Sequence, residues 1–288
     1  MVEFLNKTIE SIRKCENIKV AVLFGSYARL LKGTGDTPDQ YSDIDVQLLV
    51  TKPQYFKDSS WLASLFATEV ISASYRSVFG GARKAVIMFD GGSIDAVILP
   101  YRLLYIAKLL HRAHAYRWSK KFQTRMENFS DLMRFDHVVI KGNADWEKFY
   151  KEAGTLGKRL KLNTPEILKM SAVVCEETHA ILGRIERGEL IAAQRLLHQE
   201  IVEVNIKLLH ELRERSGLKT YHRGRRAECT LRPEELALIS VNASCNRLEL
   251  KTAAIAMLKA NATLVRELTG TAPKWASSNF FTSLKHDM

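Results

Sequence analysis

The stretch Phe24-Gly25-Ser26-Tyr27-Ala28-Arg29 decides the reading of this chain, together with Tyr41-Ser42-Asp43-Ile44-Asp45-Val46 and Phe89-Asp90-Gly91-Gly92-Ser93-Ile94-Asp95. Ile18–Phe24 is a short apolar, β-branched run, the mark of a buried strand. Gly25-Ser26 ends it. With no Cβ, Gly25 lets the backbone approach an oxyanion closely. If residues 26–31 start a short helix, its first amides point at the same place and Ser26 adds a hydroxyl donor. Sixteen residues separate Ser26 from Asp43. Residues 41–50 read as a second strand, whose two-residue period sends Asp43 and Asp45 to one face and Ile44 to the other. Asp95 repeats the anomaly inside the apolar run 94–99. Carboxylates in apolar strands are costly to bury unless a cation pairs with them. A divalent metal resolves their mutual repulsion, and Mg²⁺ typically takes one or two protein carboxylates plus substrate phosphates. If the Asp95 strand lies beside the Asp45 strand, three carboxylates converge. That is the geometry for two metals gripping an in-line phosphoryl displacement.

Outward from these residues, the first hundred positions read as α/β. Val2–Lys14 has apolar residues at Phe4, Leu5, Ile9 and Ile12, a helical period. Residues 33–40 form a loop marked by Gly33, Gly35 and Pro38. Residues 53–73 look largely helical. Residues 85–89 and 94–99 are strands joined by Asp90-Gly91-Gly92, where glycine supplies the positive φ of a tight hairpin. Residues 101–114 are helical and 136–141 a short strand. From Thr164 the pattern changes to long helices, over 166–186, 189–215 and 233–268, the last as one helix or two. The expected architecture is an α/β domain over 1–150, a mixed sheet with flanking helices, followed by an all-α helical bundle over 151–288.

Length and composition agree. At 288 residues two domains are the prior, and 46% hydrophobic residues with only 15 Gly and 6 Pro exclude a disordered or collagen-like chain. No run approaches the ~18 apolar residues of a membrane span. Residues 1–14 carry charges of both signs, so they do not read as a secretory signal, and a cytoplasmic protein with no membrane partner is the expectation. The four cysteines, Cys15, Cys175, Cys229 and Cys245, show no C-x-x-C spacing. His111 and His114 sit at i, i+3 but have no neighbouring ligand in the sequence.

The net charge of +11 is unevenly spread. Residues 1–100 are balanced, with 11 basic and 11 acidic side chains. Residues 101–125 hold seven basic residues and no acid, and residues 217–226 hold four and no acid. These two stretches make the whole excess, and suit phosphates, nucleotides or nucleic acid. Tyr105, Tyr116, Trp118 and Tyr221 interleave with them as stacking candidates.

The three quoted motifs, over residues 20–100, resemble the signature of the DNA polymerase β-like nucleotidyltransferase superfamily. With a helical C-terminal domain of this length, the chain resembles its antibiotic nucleotidyltransferases, the aminoglycoside 6-adenylyltransferases and larger lincosamide nucleotidyltransferases. The resemblance implies a Mg²⁺-dependent transfer of a nucleoside monophosphate, AMP from ATP, to a hydroxyl of a small acceptor, with release of pyrophosphate. The implied acceptor is an antibiotic and the implied role antibiotic resistance. Asp43, Asp45 and Asp95 would be the catalytic and metal-binding residues, holding two Mg²⁺ ions, with Asp95 helping to deprotonate the acceptor. Gly25, Ser26 and Arg29 would bind the nucleotide, and the helical domain 151–288 would bind the acceptor. Two features depart from the pattern. The gap between Ser26 and Asp43 is longer than usual in the family. The basic chain is also ill suited to polycationic aminoglycosides, unless Glu176, Glu177, Glu200 and Glu203 form an acidic pocket. An RNA, tRNA or protein hydroxyl as acceptor, and a non-catalytic nucleotidyltransferase-like regulator, are the competing readings. Arg215 and His222 bear a faint similarity to an RNA-cleaving helical domain.

Overall fold

The structure, a computed structural model, describes residues 2–34, 38–57, 60–61, 69–78, 82–133, 136–156, 162–218, 220 and 224–278. The chain divides into two compact units, residues 1–159 and 160–288.

The first unit is built on a mixed six-stranded sheet of order β3-β4-β5-β2-β1-β6. Its strands are β1 (Ile18–Phe24), β2 (Ile44–Val50), β3 (Val70–Ser77), β4 (Arg83–Phe89), β5 (Gly92–Pro100) and β6 (His137–Lys141). Only β2 and β5 run parallel; the other neighbours are antiparallel. The hairpin between β4 and β5 turns at Asp90-Gly91-Gly92, with Gly91 at φ +93°. One face of the sheet packs against α1 (Val2–Lys14) and α2 (Gly25–Lys32). Leu5, Ile9 and Ile12 of α1 and Tyr27 and Ala28 of α2 meet Leu23, Ile44, Val46, Ile87, Ile94 and Ile98 there. The apolar alternation along the strands and the apolar stripe of α1 together account for this layer.

Part of the opposite face is covered by α3 (Tyr101–Arg112), α4 (Lys120–Met133) and α5 (Ala144–Leu156). Leu104, Met126, Trp146, Phe149 and Tyr150 from these helices pack on Val20, Val22 and Leu49. The sequence reading missed α4 and α5. It also placed residues 70–73 in a helix, where the structure has the start of β3, hydrogen-bonded along β4. Sheet pairing overrides local propensity there.

The second unit is helical: α6 (Thr164–Glu186), α7 (Leu190–Leu196), α8 (Glu203–Arg215), α9 (Ala227–Thr230), α10 (Pro233–Leu236) and α11 (Arg247–Thr269). A π-helical turn, Leu197–Val202, joins α7 to α8. Asn163 opens α6 with a reciprocal capping box to Glu166. The expected 233–268 helix is two, separated by residues 237–246. The core is largely apolar, with a buried Arg213–Glu235 ion pair (2.7 Å) and a polar chain. Ser171 donates to Asn261 (2.6 Å), Asn261 to Asn205 (2.9 Å), and Asn205 to the Met257 carbonyl (3.0 Å). Among the described residues no helix is long and apolar enough to cross a membrane.

Candidate active site

The open part of the second sheet face is where the anomalous carboxylates lie. Asp45 and Asp95 are register partners on the parallel strands β2 and β5, so their side chains project side by side from one face. Both are partly exposed. Asp43 lies one residue before β2, which starts at Ile44 rather than at residue 41. It accepts a hydrogen bond from the Ser93 hydroxyl, across from it at the start of β5. An Asp39 turn presents this segment: the Asp39 carboxylate accepts from the Tyr41 amide (3.0 Å) and the Ser42 hydroxyl (2.8 Å). Burial, then the charges of Asp39 and Asp43, pushes the Tyr27 phenol upward.

Gly25 ends β1 on the same side. Its φ of +67° is left-handed, and a Cβ built there would stand 2.5 Å from Asp45 Oδ2. Any side chain at this position would displace the carboxylate. Gly25 also opens α2, whose first turn carries no acid and whose N-cap, Phe24, supplies no side-chain acceptor. The first amides of α2 are therefore free to meet an anion next to Asp45. Ser26 follows at once. Arg29, one turn on, is half-buried, and its Nε is buried without a hydrogen-bond partner.

Lys84 on β4 was not singled out by the sequence reading. Its ammonium pairs with Asp95 Oδ2, and both side chains are largely buried, 24% and 16% exposed. Asp95 Oδ1 is buried and has no hydrogen-bond partner. A strand lysine reads as a surface residue until the sheet order places β4 next to β5, and no local signal carries that order. Farther along the same face, Gln47 is buried and accepts a hydrogen bond from the Tyr150 hydroxyl of α5. Burial drives the Tyr150 phenol strongly upward, so it stays a donor at any ordinary pH.

Among the described residues no three acidic, histidine or cysteine side chains are gathered closely enough to hold a metal ion by themselves. Asp43 is engaged by Ser93, and Asp95 by Lys84. The donor set nonetheless fits a hard dication: adjacent carboxylates, one buried oxygen unsatisfied, and a glycine cradle beside the other carboxylate.

No protein-family model and no curated protein matches the sequence. Among solved structures, the chain is similar to an aminoglycoside 6-adenyltransferase from Bacillus subtilis, at 10% identity and a TM-score of 0.39, over 98% of this chain and 96% of that one. It is also similar to a nucleotidyltransferase-like protein from Exiguobacterium sibiricum 255-15, at 12% identity and a TM-score of 0.32, over 100% of this chain and 88% of that one. At these levels the residues of the site have to carry any functional reading.

The remaining candidates lie elsewhere. In the 101–125 segment, Lys108 and Arg112 both pair with Asp145 of α5, so two of its cations serve the fold. Arg117, Lys120 and Lys121 are exposed, as is Trp118 at 80%. Tyr221, His222 and Arg223 of the second basic segment lie outside the described residues. Arg215 is committed to Glu211 and to the carbonyls of Leu268 and Leu162. His111 is buried against Phe149. In the helical unit Glu177, Glu200 and Glu203 are half-buried and Glu176 is exposed.

Proposed function

We propose that this chain is a nucleotidyltransferase that moves the nucleoside monophosphate of a nucleoside triphosphate, ATP in the leading reading, to a hydroxyl of a separate acceptor. The observation that carries this is the in-register pair Asp45 and Asp95, with Gly25 and the uncapped start of α2 against the Asp45 carboxylate. The amides of α2 and the Ser26 hydroxyl would hold the outer phosphates, with Arg29 as a further cation. The acceptor hydroxyl oxygen forms a bond to the α phosphorus. The bond from that phosphorus to the bridging oxygen breaks, and pyrophosphate leaves with the electron pair. Asp95 helps to take up the hydroxyl proton. Lys84 holds Asp95 Oδ2 and so fixes the direction of the carboxylate. Asp43, Asp45 and Asp95 would hold Mg²⁺, which when bound neutralises the triphosphate and polarises the α phosphorus. Most of the catalysis is then positioning and charge neutralisation.

Pyrophosphate release from Mg-ATP in the presence of acceptors tests this. Asp45→Asn and Asp95→Asn are each expected to lower kcat by about 10² or more. Wild-type turnover in Asp45→Asn would end the assignment. The family resemblance implies an antibiotic acceptor and a role for residues 151–288 in binding it. A nucleic acid acceptor is a second reading, favoured by the exposed Trp118 among Arg117, Lys120 and Lys121. Its binding would weaken steeply as salt rises.

A further inference from the structure

Across the open sheet face the strands run β1, β2, β5, β4, β3. This order sets the functional groups in a line: Gly25 at the end of β1, Asp45 on β2, Asp95 on β5, Lys84 on β4, and Arg76 on β3. The register confirms that they share a face. Asp45, Asp95, Val86 and Ser74 are successive partners in one row, and Gln47, Val97, Lys84 and Arg76 in the next. Under the nucleotidyl-transfer reading, on which this inference rests, the outer phosphates lie at the Gly25 end. An in-line displacement puts the entering hydroxyl opposite the leaving pyrophosphate. The acceptor therefore approaches over β4 and β3.

On those strands this face presents Lys84, Val86 and Met88, then Ser72, Ser74 and Arg76, two cations and no acid. Arg76 is exposed and is the register partner of Lys84. It stands two strands and one row from Asp95, about 12 Å at the usual strand spacing and rise. Cations on an edge strand often serve only to deter pairing with other sheets. Arg76 alone fits that role, since β3 is an edge. Lys84 does not, because β4 is interior and its ammonium is largely buried against Asp95.

We infer that the acceptor is a small anionic compound, a hydroxy acid or hydroxy phosphate, whose charged group is received by Arg76 and Lys84 with the Ser72 and Ser74 hydroxyls beside them. A polycationic acceptor would approach against Arg76, the exposed cation of these two strands.

The test uses the full chain with Mg-ATP and matched acceptors on one carbon skeleton: glycerol, glycerol 3-phosphate and 3-amino-1,2-propanediol, then glucose, glucose 6-phosphate, gluconate and glucosamine. Kanamycin and a short RNA with a free 3′ hydroxyl complete the set. Pyrophosphate release and the melting shift of the nucleotide-loaded protein are both read. The phosphate or carboxylate member is expected to lead each set in turnover or in melting shift. Arg76→Glu is expected to weaken its binding about tenfold, with little effect on the uncharged member. Preference for the neutral, amino, kanamycin or RNA acceptor overturns the inference. So does the absence of any turnover or shift with every anionic probe while ATP still binds, and either result leaves nucleotidyl transfer standing. Failure of ATP itself to bind ends the underlying reading.

Discussion

Gly25 shows how one residue can be fixed by both backbone and neighbour. Its φ of +67° costs an alanine about 1–2 kcal/mol, and the added methyl would also strike Asp45 Oδ2. Gly33, at the other end of α2, has nearly the same φ, +65°, but nothing within 4 Å of the place a Cβ would take, so it serves as a control. Gly25→Ala and Gly33→Ala should lose similar stability in thermal melts. Only Gly25→Ala should lose about 10² in kcat, since a displacement of about 1 Å at a reacting group is enough for that. Equal activity in the two variants would mean that the Asp45 position is not critical. At this scale the sequence was informative about Gly25, Asp45 and Asp95, because a glycine after a buried strand and acids within apolar strands are local anomalies. It was silent about Lys84 and Arg76, whose meaning comes from which strand lies beside which.

At the scale of elements, a lysine of β6 closes the end of α1. The Lys141 ammonium donates to the carbonyls of Ile12 (3.1 Å), Arg13 (2.8 Å) and Cys15 (2.6 Å), closing the C-terminal end of α1. Arg13 Nε returns a bond to the Ile140 carbonyl (2.9 Å). Lys141→Met should lower the unfolding free energy in urea by about 2 kcal/mol, because hydrogen bonds from a charged donor at the C-terminal end of α1 are lost. An unchanged urea midpoint would show that water replaces the ammonium at no cost.

The α3–α5 contact adds a pH dependence. His111 meets Phe149 edge-on at 5.6 Å, and its Nδ1 lies 3.9 Å from Glu152. Burial lowers its pKa, the Glu152 charge opposes that, and His114 and Arg112 add to the lowering. The folded state thus binds a proton less readily than the unfolded chain. Stability from this group is whole above the unfolded pKa of about 6.5 and declines as pH falls below it. His111→Gln should flatten the fall in urea midpoint between about pH 7.5 and 5.5. An unaltered slope would place the titration elsewhere. Elements with a strong period of their own, α1, β1 and α6, were legible. The strand Val70–Ser77 was not, because its pairing with β4 and not its composition makes it a strand.

At the scale of the molecule, the +11 charge does not behave as one field. Lys108 and Arg112 are paired with Asp145, while the cations that bear on the site, Lys84 and Arg76, come from the first hundred residues, which are neutral by count. A tally along the chain could not see this, since it averages over strands that the sheet brings together. The division into an α/β and a helical part was visible because the hydrophobic period changes near Thr164. What the period could not show is how the helical core stays unique. Ser171, Asn205 and Asn261 are fully buried, and each is satisfied by the next, with Trp275 Nε1 donating to Ser171 (3.0 Å). Every link of this chain lies within residues 160–288, as do both apolar clusters around it. A unit of this size with its own core can in principle fold alone. The fragment 160–288 should therefore give a helical circular dichroism spectrum and a single cooperative urea transition. Asn261→Leu in that fragment should lower its unfolding free energy by about 2–3 kcal/mol, because the Asn205 carbonyl and the Ser171 hydroxyl lose a buried partner and gain no water. An unfolded fragment would refute the autonomy of the unit. A folded one indifferent to Asn261→Leu would show that the polar chain contributes nothing that the surrounding apolar packing does not already supply.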